Sequence, residues 1–195
     1  MPLALTVSCA EKTEVLLVPP PASPSALQIV VNEYNEQRTA VGQAPITRGL
    51  ACTLYTVPGT TVQISGASLT TVGSFGYTGN FNFANGPSSP GLKLLPETLR
   101  SIYTSYYIIK CSGLYVNDAS GFYGFDLTSD DGAIVSLNGT FLNNDGVHGI
   151  TTKSGAKYLA RGVYSFEISY LDIGGSHALM FSSGGIAVDA EHFYH

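Results

Sequence analysis

Residues 122–149 read FYGFDLTSDDGAIVSLNGTFLNNDGVHG, a run in which short apolar segments alternate with turn-forming residues. The apolar segments at 122–127, 133–137 and 141–142 are rich in Val, Ile, Leu and Phe, as is typical of β-strands. Between the last two segments, Asn138 and Gly139 tolerate the positive φ angles of a type I′ turn and so predict a tight hairpin. This run therefore predicts consecutive antiparallel strands.

The chain from Gly49 onward has the same β-like composition on both sides of this run. The predicted elements are a long strand at 103–116 with an interruption near residues 112–113, a loop at 80–90, one helical turn at 94–100 and a strand at 162–170. In the last strand, side chains alternate, with Tyr164, Phe166, Ile168 and Tyr170 on one face. We expect an all-β fold, an antiparallel β-sandwich or barrel, preceded by one N-terminal α-helix.

The helix is predicted at residues 24–40, within an N-terminal segment at 24–48 that also holds the connector to the β domain. Four apolar residues recur there at helical spacing: Leu27, Val30, Val31 and Tyr34. Ser23 followed by Pro24 is a start signal, because a capping hydroxyl precedes a proline at the first helical position. Gly42 is the expected stop, and we expect the helix to pack on the β domain.

Two shorter segments precede the helix. Residues 10–23 are rich in proline and predict a semi-rigid linker. Residues 1–9 look like the remnant of an export signal and resemble the end of a bacterial lipoprotein signal, in which Cys9 would carry the lipid. The alternatives are a lipid anchor at Cys9, the one route to a membrane that the sequence offers, and an incidental cysteine.

Composition narrows the function classes. Only 12% of the 195 residues are charged, whereas about a quarter is usual. The polar surface must therefore be formed mainly by Ser, Thr, Asn and Gly. The net charge is −5 and the nine Lys and Arg are scattered, so a phosphate backbone has no basic stripe to contact. We predict a secreted or cell-surface protein that does not bind nucleic acid.

Cys52 and Cys111 lie in apolar, β-like stretches. In an oxidising compartment, a bridge between them would close a long loop and stabilise the fold by about 4 kcal/mol in the chain-entropy model. Two buried free thiols are the alternative, since free cysteine is among the most buried residue types. The cysteine spacing does not cluster ligands for zinc.

Three parts of the sequence together resemble the protective-antigen-fourteen domain family, which includes the adhesion domains of yeast flocculins. They are the TSDDG turn at 128–132, the NNDGVHG loop at 143–149, and the strand GVYSFEISY at 162–170 followed by GGSHAL at 174–179. The resemblance implies that residues 49–195 form a β-sandwich or barrel of this type. It also implies a non-catalytic, lectin-like or adhesin-like module that binds a glycan.

Asp130 and Asp131 are the most specific feature of this resemblance. Adjacent aspartates before a glycine are often only a solvated turn, and that alternative stays open. If both carboxylates converge, their repulsion calls for a cation, and oxygen ligands select a hard one such as calcium. The resemblance to flocculin-like members implies that this Asp-Asp peptide is cis and that both side chains hold calcium. The resemblance places Asp172 in the second calcium loop, so the predicted metal ligands are Asp130, Asp131 and Asp172.

Polar residues in the loops at 143–149 and 172–177 are the predicted sugar contacts: Asn143, Asn144, Asp145, His148, Ser176 and His177. The alternative for the first of these loops is an ordinary hairpin connection. Four tyrosines could stack on a sugar if they are exposed, although most of them alternate with apolar neighbours: Tyr103, Tyr106, Tyr107 and Tyr123.

Catalysis is not expected. Adjacent residues on a tight turn are poorly placed to hold two carboxylates about 5–9 Å apart across a glycosidic bond. The chain contains no G-x-S-x-G elbow, H-E-x-x-H pair or phosphate loop. The sequence thus predicts a calcium-assisted carbohydrate-binding module, and its alternative is a non-catalytic structural or protein-binding module of a surface or fibre assembly.

Overall fold

A computed structural model describes residues 24–85 and 92–195 of the chain. The export remnant with Cys9, the proline-rich linker and residues 86–91 of the predicted loop lie outside these ranges. Within them, no helix is long and apolar enough to cross a bilayer.

The described residues form two helices, twelve strands and one short 3-10 helix. The helices are α1 (Ala26–Ala40) and α2 (Glu97–Arg100), and the 3-10 turn is Ala190–His192. The strands are β1 (Leu50–Thr56), β2 (Thr70–Tyr77), β3 (Asn82–Asn85), β4 (Tyr107–Asn117), β5 (Gly121–Asp130), β6 (Ala133–Leu137), β7 (Thr140–Asn144), β8 (Thr151–Leu159), β9 (Gly162–Asp172), β10 (His177–Ser183), β11 (Ile186–Ala187) and β12 (Phe193–Tyr194).

The strands make two antiparallel sheets. A seven-stranded sheet has the order β2-β1-β4-β9-β6-β7, with β12 added to β4, and a five-stranded sheet has the order β11-β10-β5-β8, with β3 added to β10. Side chains from both sheets fill one large core, in which the aromatic rings of Phe81, Phe125, Phe166, Phe181 and Phe193 contact one another. The predicted all-β antiparallel sandwich with one long N-terminal helix is confirmed.

Helix α1 packs against the seven-stranded sheet. Its buried residues Val30 and Val31 contact Val116 and Tyr194, and Glu33 forms an ion pair of 2.8 Å with Arg161. The predicted start was two residues early, because the side chain of Ser25 rather than Ser23 caps the helix, accepting the backbone N–H of Gln28 at 3.2 Å.

Two predicted elements differ from the structure. The strand predicted at 103–116 begins only at Tyr107, because Tyr106 has a φ of 57° and cannot continue a strand. It runs through Gly113 without a break: a Cβ there would lie 2.2 Å from the carbonyl oxygen of Tyr194, so this glycine permits close approach of β12. The loop predicted at 80–90 contains β3, a short polar strand that pairs with β10.

The Asn138-Gly139 hairpin is present as predicted. The two residues have φ angles of 48° and 96°, and they join β6 to β7 with a register shift beside the turn. Strand β9 buries Phe166, Ile168 and Tyr170, which matches the predicted alternation.

The pairing of strands brings five chain segments to one end of the sandwich. Tyr107 at the start of β4 pairs with Asp172 at the end of β9, and Asp130 at the end of β5 pairs with Ala178 near the start of β10. We call this end of the sandwich the loop end. It is formed by residues 57–69, 101–106, 130–132, 145–150 and 173–176.

Cys52 and Cys111 form a disulfide between directly opposed positions of β1 and β4, with an S–S distance of 2.02 Å. Both residues are fully buried in the main core. The bond joins residues 59 positions apart in the sequence, so it restricts the unfolded chain considerably.

Replacing both cysteines by alanine is therefore expected to lower the free energy of unfolding by about 4 kcal/mol, from the loop-closure entropy that the unfolded chain regains. Urea unfolding followed by circular dichroism measures this change. A reducing agent should lower the stability of the wild-type chain by a similar amount and leave the double variant unaffected. Equal stability of the oxidised wild type and the double variant would contradict the account.

Candidate functional site

Three acidic residues meet at the loop end, and all three are largely buried. Asp130 is 8% exposed, Asp131 is 4% exposed and Asp172 is completely covered. The Asp130–Asp131 peptide bond is cis, as the family resemblance implies. The turn Asp130–Gly132 connects β5 of one sheet to β6 of the other, so the aspartate pair sits where the two sheets meet.

The Asp131 carboxylate is held by backbone donors from two loops. Its Oδ1 accepts the N–H of His148 at 3.3 Å, and its Oδ2 accepts the N–H of Ile173 at 2.9 Å. Burial raises the pKa of Asp131, the Ile173 N–H opposes that shift, and the nearby charge of Asp172 adds to it. This carboxylate thus links the loops 145–150 and 173–176 in a fixed orientation.

The Asp130 carboxylate differs, because no donor among residues 24–85 and 92–195 forms a hydrogen bond with it. Its pKa is raised, first by burial and then by the like charges of Asp131 and Asp172. A buried carboxylate without a partner is unfavourable in the ionised form. A positively charged ligand would therefore stabilise the ionised form of this side chain.

Asp172 is the centre of a buried hydrogen-bond network. Its Oδ2 accepts the hydroxyls of Tyr107 at 2.8 Å and Tyr170 at 3.3 Å and contacts Nδ1 of His177. Its Oδ1 accepts the N–H of Gly174 at 2.7 Å. Both tyrosines have a raised pKa, because they are buried and face this carboxylate. Through its hydrogen bond with the Gly174 N–H, Asp172 thus orients the start of the loop 173–176.

The predicted sugar contacts have structural partners of their own. Asn144 is buried and donates to the Ser129 hydroxyl at 2.8 Å, and the His148 ring nitrogens lie 2.8 and 2.9 Å from the carbonyl oxygens of Gly149 and Asn144. His177 is buried against Asp172. Asn143 is exposed and Ser176 is half-buried, at the edge of the same loops. The structure brings the six residues to one end, and their contact with sugar stays a prediction.

Asp145 has a role that the sequence did not indicate. Its Oδ1 accepts the N–H of Ile64 at 2.6 Å and its Oδ2 accepts the N–H of Ser65 at 3.0 Å. These bonds fix the loop between β1 and β2, residues 57–69, beside the aspartate turn. In the sequence, the turn-forming residues Pro58-Gly59 and Gly66 indicate a loop. They do not predict that this loop lies beside the aspartate turn.

Gly132 is required for close packing of the turn. A Cβ at this position would lie 2.8 Å from both the backbone nitrogen and the carbonyl oxygen of Gly146. The Asp130–Gly132 turn therefore rests directly on the loop that carries Asp145 and His148, and any side chain on Gly132 would push the two apart.

The oxygen atoms at the loop end are of the type that a hard cation prefers as ligands. Asp130 and Asp131 offer carboxylate oxygens, and the loop 173–176 carries two glycines with positive φ, Gly174 and Gly175, whose carbonyls can approach an ion closely. In the described part of the chain, however, no three His, Cys, Asp or Glu side chains stand in a geometry that could hold a metal. An ion would have to draw on backbone and ligand oxygens as well as the two carboxylates.

Comparison with known proteins shows which domain family the chain belongs to. A family model of the PA14 domain matches residues 80–185, just over half of the chain. No curated protein matches this sequence. Among solved structures, the PA14 domain of the antifreeze protein MpAFP is similar at 14% identity and a TM-score of 0.57, over 76% of this chain and 91% of that one.

Two further structures of this fold come from sugar-binding proteins. The A domain of Epithelial Adhesin 9 from Candida glabrata, in complex with Galβ1-4GlcNAc, is similar at 14% identity and a TM-score of 0.58, over 76% of this chain and 90% of that one. The PA14 sugar-binding domain from an RTX adhesin is similar at 22% identity and a TM-score of 0.55, over 76% of this chain and 99% of that one. At identities of 14–22%, these similarities show a shared fold and nothing more.

The tight packing at Gly132 leads to a testable difference between two glycines. Gly132→Ala is expected to lower the free energy of unfolding by about 1–3 kcal/mol, because the added methyl group overlaps the backbone of Gly146. Gly124→Ala, in the same β5–β6 region, is the matched control, since a Cβ there meets nothing within 4 Å. Chemical unfolding of both variants measures the difference, and equal stabilities would contradict the geometry.

The raised pKa of Asp130 predicts a pH dependence in the absence of divalent cations. Between the ordinary Asp pKa of 3.8 and the raised value, the native state binds more protons than the unfolded state, so wild-type stability falls as pH rises through this window. Asp130→Asn removes that loss and should raise Tm at neutral pH, with an advantage that disappears below pH 3.8.

Thermal unfolding in a chelating buffer across this pH range measures the effect. Asp118→Asn, in the turn after β4 at the opposite end of the sandwich, is the control for the loss of one negative charge. A lower Tm of Asp130→Asn at neutral pH, or a difference that does not change with pH, would show that burial and repulsion do not act on this carboxylate.

Proposed function

Because the chain belongs to the PA14 domain family, we propose that it is a non-catalytic carbohydrate-binding module that holds its sugar with the help of a calcium ion at Asp130 and Asp131. The observation that carries this proposal is the Asp130 carboxylate, buried, repelled by two other acidic groups and without a hydrogen-bond donor in the described chain. Three buried acidic residues at one exposed end of a domain favour a cationic ligand.

The chain's residues would divide the work of holding calcium. Asp130 supplies an oxygen that no other group uses, and Asp131 supplies a carboxylate that two backbone N–H groups already orient. Asp172, predicted as a third ligand, does not form a three-carboxylate site with them among the described residues. It would instead hold the loop 173–176 in position through the Gly174 N–H, since its Oδ2 is engaged by two tyrosines and His177. When bound, calcium offers coordination positions to sugar hydroxyls, because it accepts six to eight oxygens.

Polar residues at the edge of the two loops would hydrogen-bond the remaining sugar hydroxyls. Asn143 and Ser176 are the best placed of the predicted contacts, because both reach solvent. Asn144, Asp145, His148 and His177 would act mainly by holding the loops in position, since their polar atoms are engaged within the protein.

A secreted or cell-surface location is part of the proposal. The Cys52–Cys111 disulfide supports it, because such bonds persist in oxidising compartments. Two of the similar structures are adhesin domains, and one of them is a PA14 sugar-binding domain. Membrane attachment through Cys9 remains a proposal about residues outside the described ranges.

The proposal predicts calcium-dependent glycan binding. The wild-type chain, tested on a printed glycan array, should bind at least one sugar in millimolar calcium and lose that binding in excess chelator. The double variant Asp130→Asn with Asp131→Asn should bind no sugar, because amides neither carry the charge nor bind calcium strongly. Its circular dichroism spectrum should match that of the wild type.

Asp118→Asn is the matched control and should bind sugar as the wild type does. Unchanged glycan binding in the double variant would refute the role of calcium. Absence of binding to any glycan would instead favour the alternative, a protein-binding or structural module of a surface assembly.

A further inference from the structure

We propose that Tyr106, packed on the loop formed by residues 57–69, is the platform on which the bound sugar ring stacks, and that it thereby sets which sugars the site accepts. This inference rests on the proposed function, and it adds a specificity-determining residue that the metal-binding pair does not supply.

The backbone of Tyr106 adopts an unusual conformation. Its φ is 57°, in the left-handed region that an aromatic residue seldom occupies. The conformation is held in place, because the Tyr106 carbonyl accepts the N–H of Val57 at 3.0 Å and the next residue, Tyr107, is fixed in β4. Strain of this kind is concentrated at functional sites.

The Tyr106 side chain is also unusually exposed for its position. It is 40% exposed, whereas its neighbour Tyr107 is fully buried. A Cβ on Gly59 would lie 3.7 Å from Cε1 of the Tyr106 ring, so the ring rests against the loop 57–69. One part of the ring is thus supported by protein and the rest faces solvent.

The residues on both sides of Tyr106 contact the predicted calcium loop. The Tyr107 hydroxyl donates to Asp172 at 2.8 Å. The Ser105 Cβ lies 3.3 Å from the position that a Cβ on Gly174 would occupy. Tyr106 therefore lies beside the loop 173–176, whose Ile173 N–H orients Asp131.

The loop that supports the ring is itself tied to the site. Asp145 fixes it through Ile64 and Ser65, and the Ile64 side chain packs on Ile108 and Leu171 in a small separate cluster. The carbonyl oxygen of Val62 lies 4.0 Å from the Cβ position of Gly146, the residue on which the Gly132 turn rests. The loop 57–69, Tyr106 and the turn Asp130–Gly132 are thus connected to one another at the loop end of the sandwich.

An exposed, supported aromatic ring beside a loop of the proposed cation site suits a pyranose. The C–H face of a sugar is apolar and packs on an aromatic ring, while its hydroxyls need the polar and ionic groups nearby. A cation contacts only the hydroxyls of a sugar and makes no demand on its apolar face. The ring adds a demand on the shape of the apolar face.

The described chain also exposes two aromatic rings far from this site. Phe122 and Tyr158 are 81% and 55% exposed and pack edge to face at 5.3 Å. Phe122 lies at the start of β5, eight residues or about 26 Å from Asp130 along the strand, and Tyr158 in β8 is its cross-strand partner. Tyr158 is therefore a matched control for the removal of an exposed tyrosine.

The test compares four variants on a printed panel of neutral mono- and disaccharides that includes lactose, in millimolar calcium. Tyr106→Ala and Tyr106→Leu should bind the preferred sugar about tenfold more weakly or change the order of preference, as expected for the loss of about one aromatic contact. Tyr106→Phe and Tyr158→Ala should bind like the wild type. Calcium titration by calorimetry should give the same affinity for all five proteins.

Tyr106→Leu keeps bulk against Gly59, so it tests the aromatic face even if Tyr106→Ala fails to fold. Wild-type sugar binding in Tyr106→Leu would overturn the platform and leave the proposed function intact. Loss of calcium affinity in the Tyr106 variants would also overturn it, because the residue would then act by holding the metal loop. A wild-type chain that binds no sugar on the panel would overturn the proposed function and the platform together.

Discussion

The buried carboxylate of Asp172 joins the parts of the molecule that make the loop end. Tyr107 comes from β4, Tyr170 from β9 and His177 from β10, so donors from both sheets converge on one side chain. Replacing such a group would leave several buried donors unsatisfied, and each of these costs about 1–3 kcal/mol. Because Asp172 also accepts the Gly174 N–H, the same network sets the path of the loop beside Asp131.

This network concentrates negative charge, and among the described residues neither Lys nor Arg pairs with it, although His177 contacts Asp172. Among the described residues, the ion pairs that involve Lys or Arg are Arg48–Glu191 and Arg161–Glu33, and neither includes Asp130, Asp131 or Asp172. Burial and mutual repulsion raise the pKa of Asp130 and Asp131. Both carboxylates nevertheless lie where solvent can reach the turn. A bound cation would relieve this repulsion, which is the physical basis of the proposed function.

Local patterns in the sequence predicted the elements that depend on local chemistry. The Asn138-Gly139 hairpin and the alternating strand β9 follow from turn propensity and side-chain period, and both are present. The family resemblance predicted the cis Asp130–Asp131 peptide. Strand β3 was missed because Asn82 and Asn85 weaken its strand signal, and it is stabilised by pairing with β10 and by packing of Phe83 on the main core.

The parts of the site that the sequence could not predict depend on contacts between distant segments. Asp145 was expected at a sugar-binding rim, yet it holds Ile64 and Ser65, some eighty residues earlier in the chain. Tyr106 was one of four candidate tyrosines, and its exposed ring, its left-handed backbone and its contact with Gly59 distinguish it from the others. No spacing rule relates these pairs, because the fold alone brings them together.

The central claim, that Asp130 and Asp131 hold calcium, is tested most directly by calorimetric titration of the purified chain with calcium chloride. The account predicts a saturable binding isotherm with one ion per chain, present in Asp118→Asn and absent when Asp130 and Asp131 are both replaced by asparagine. No binding heat at millimolar calcium, or an isotherm that is unchanged in the double variant, would contradict it.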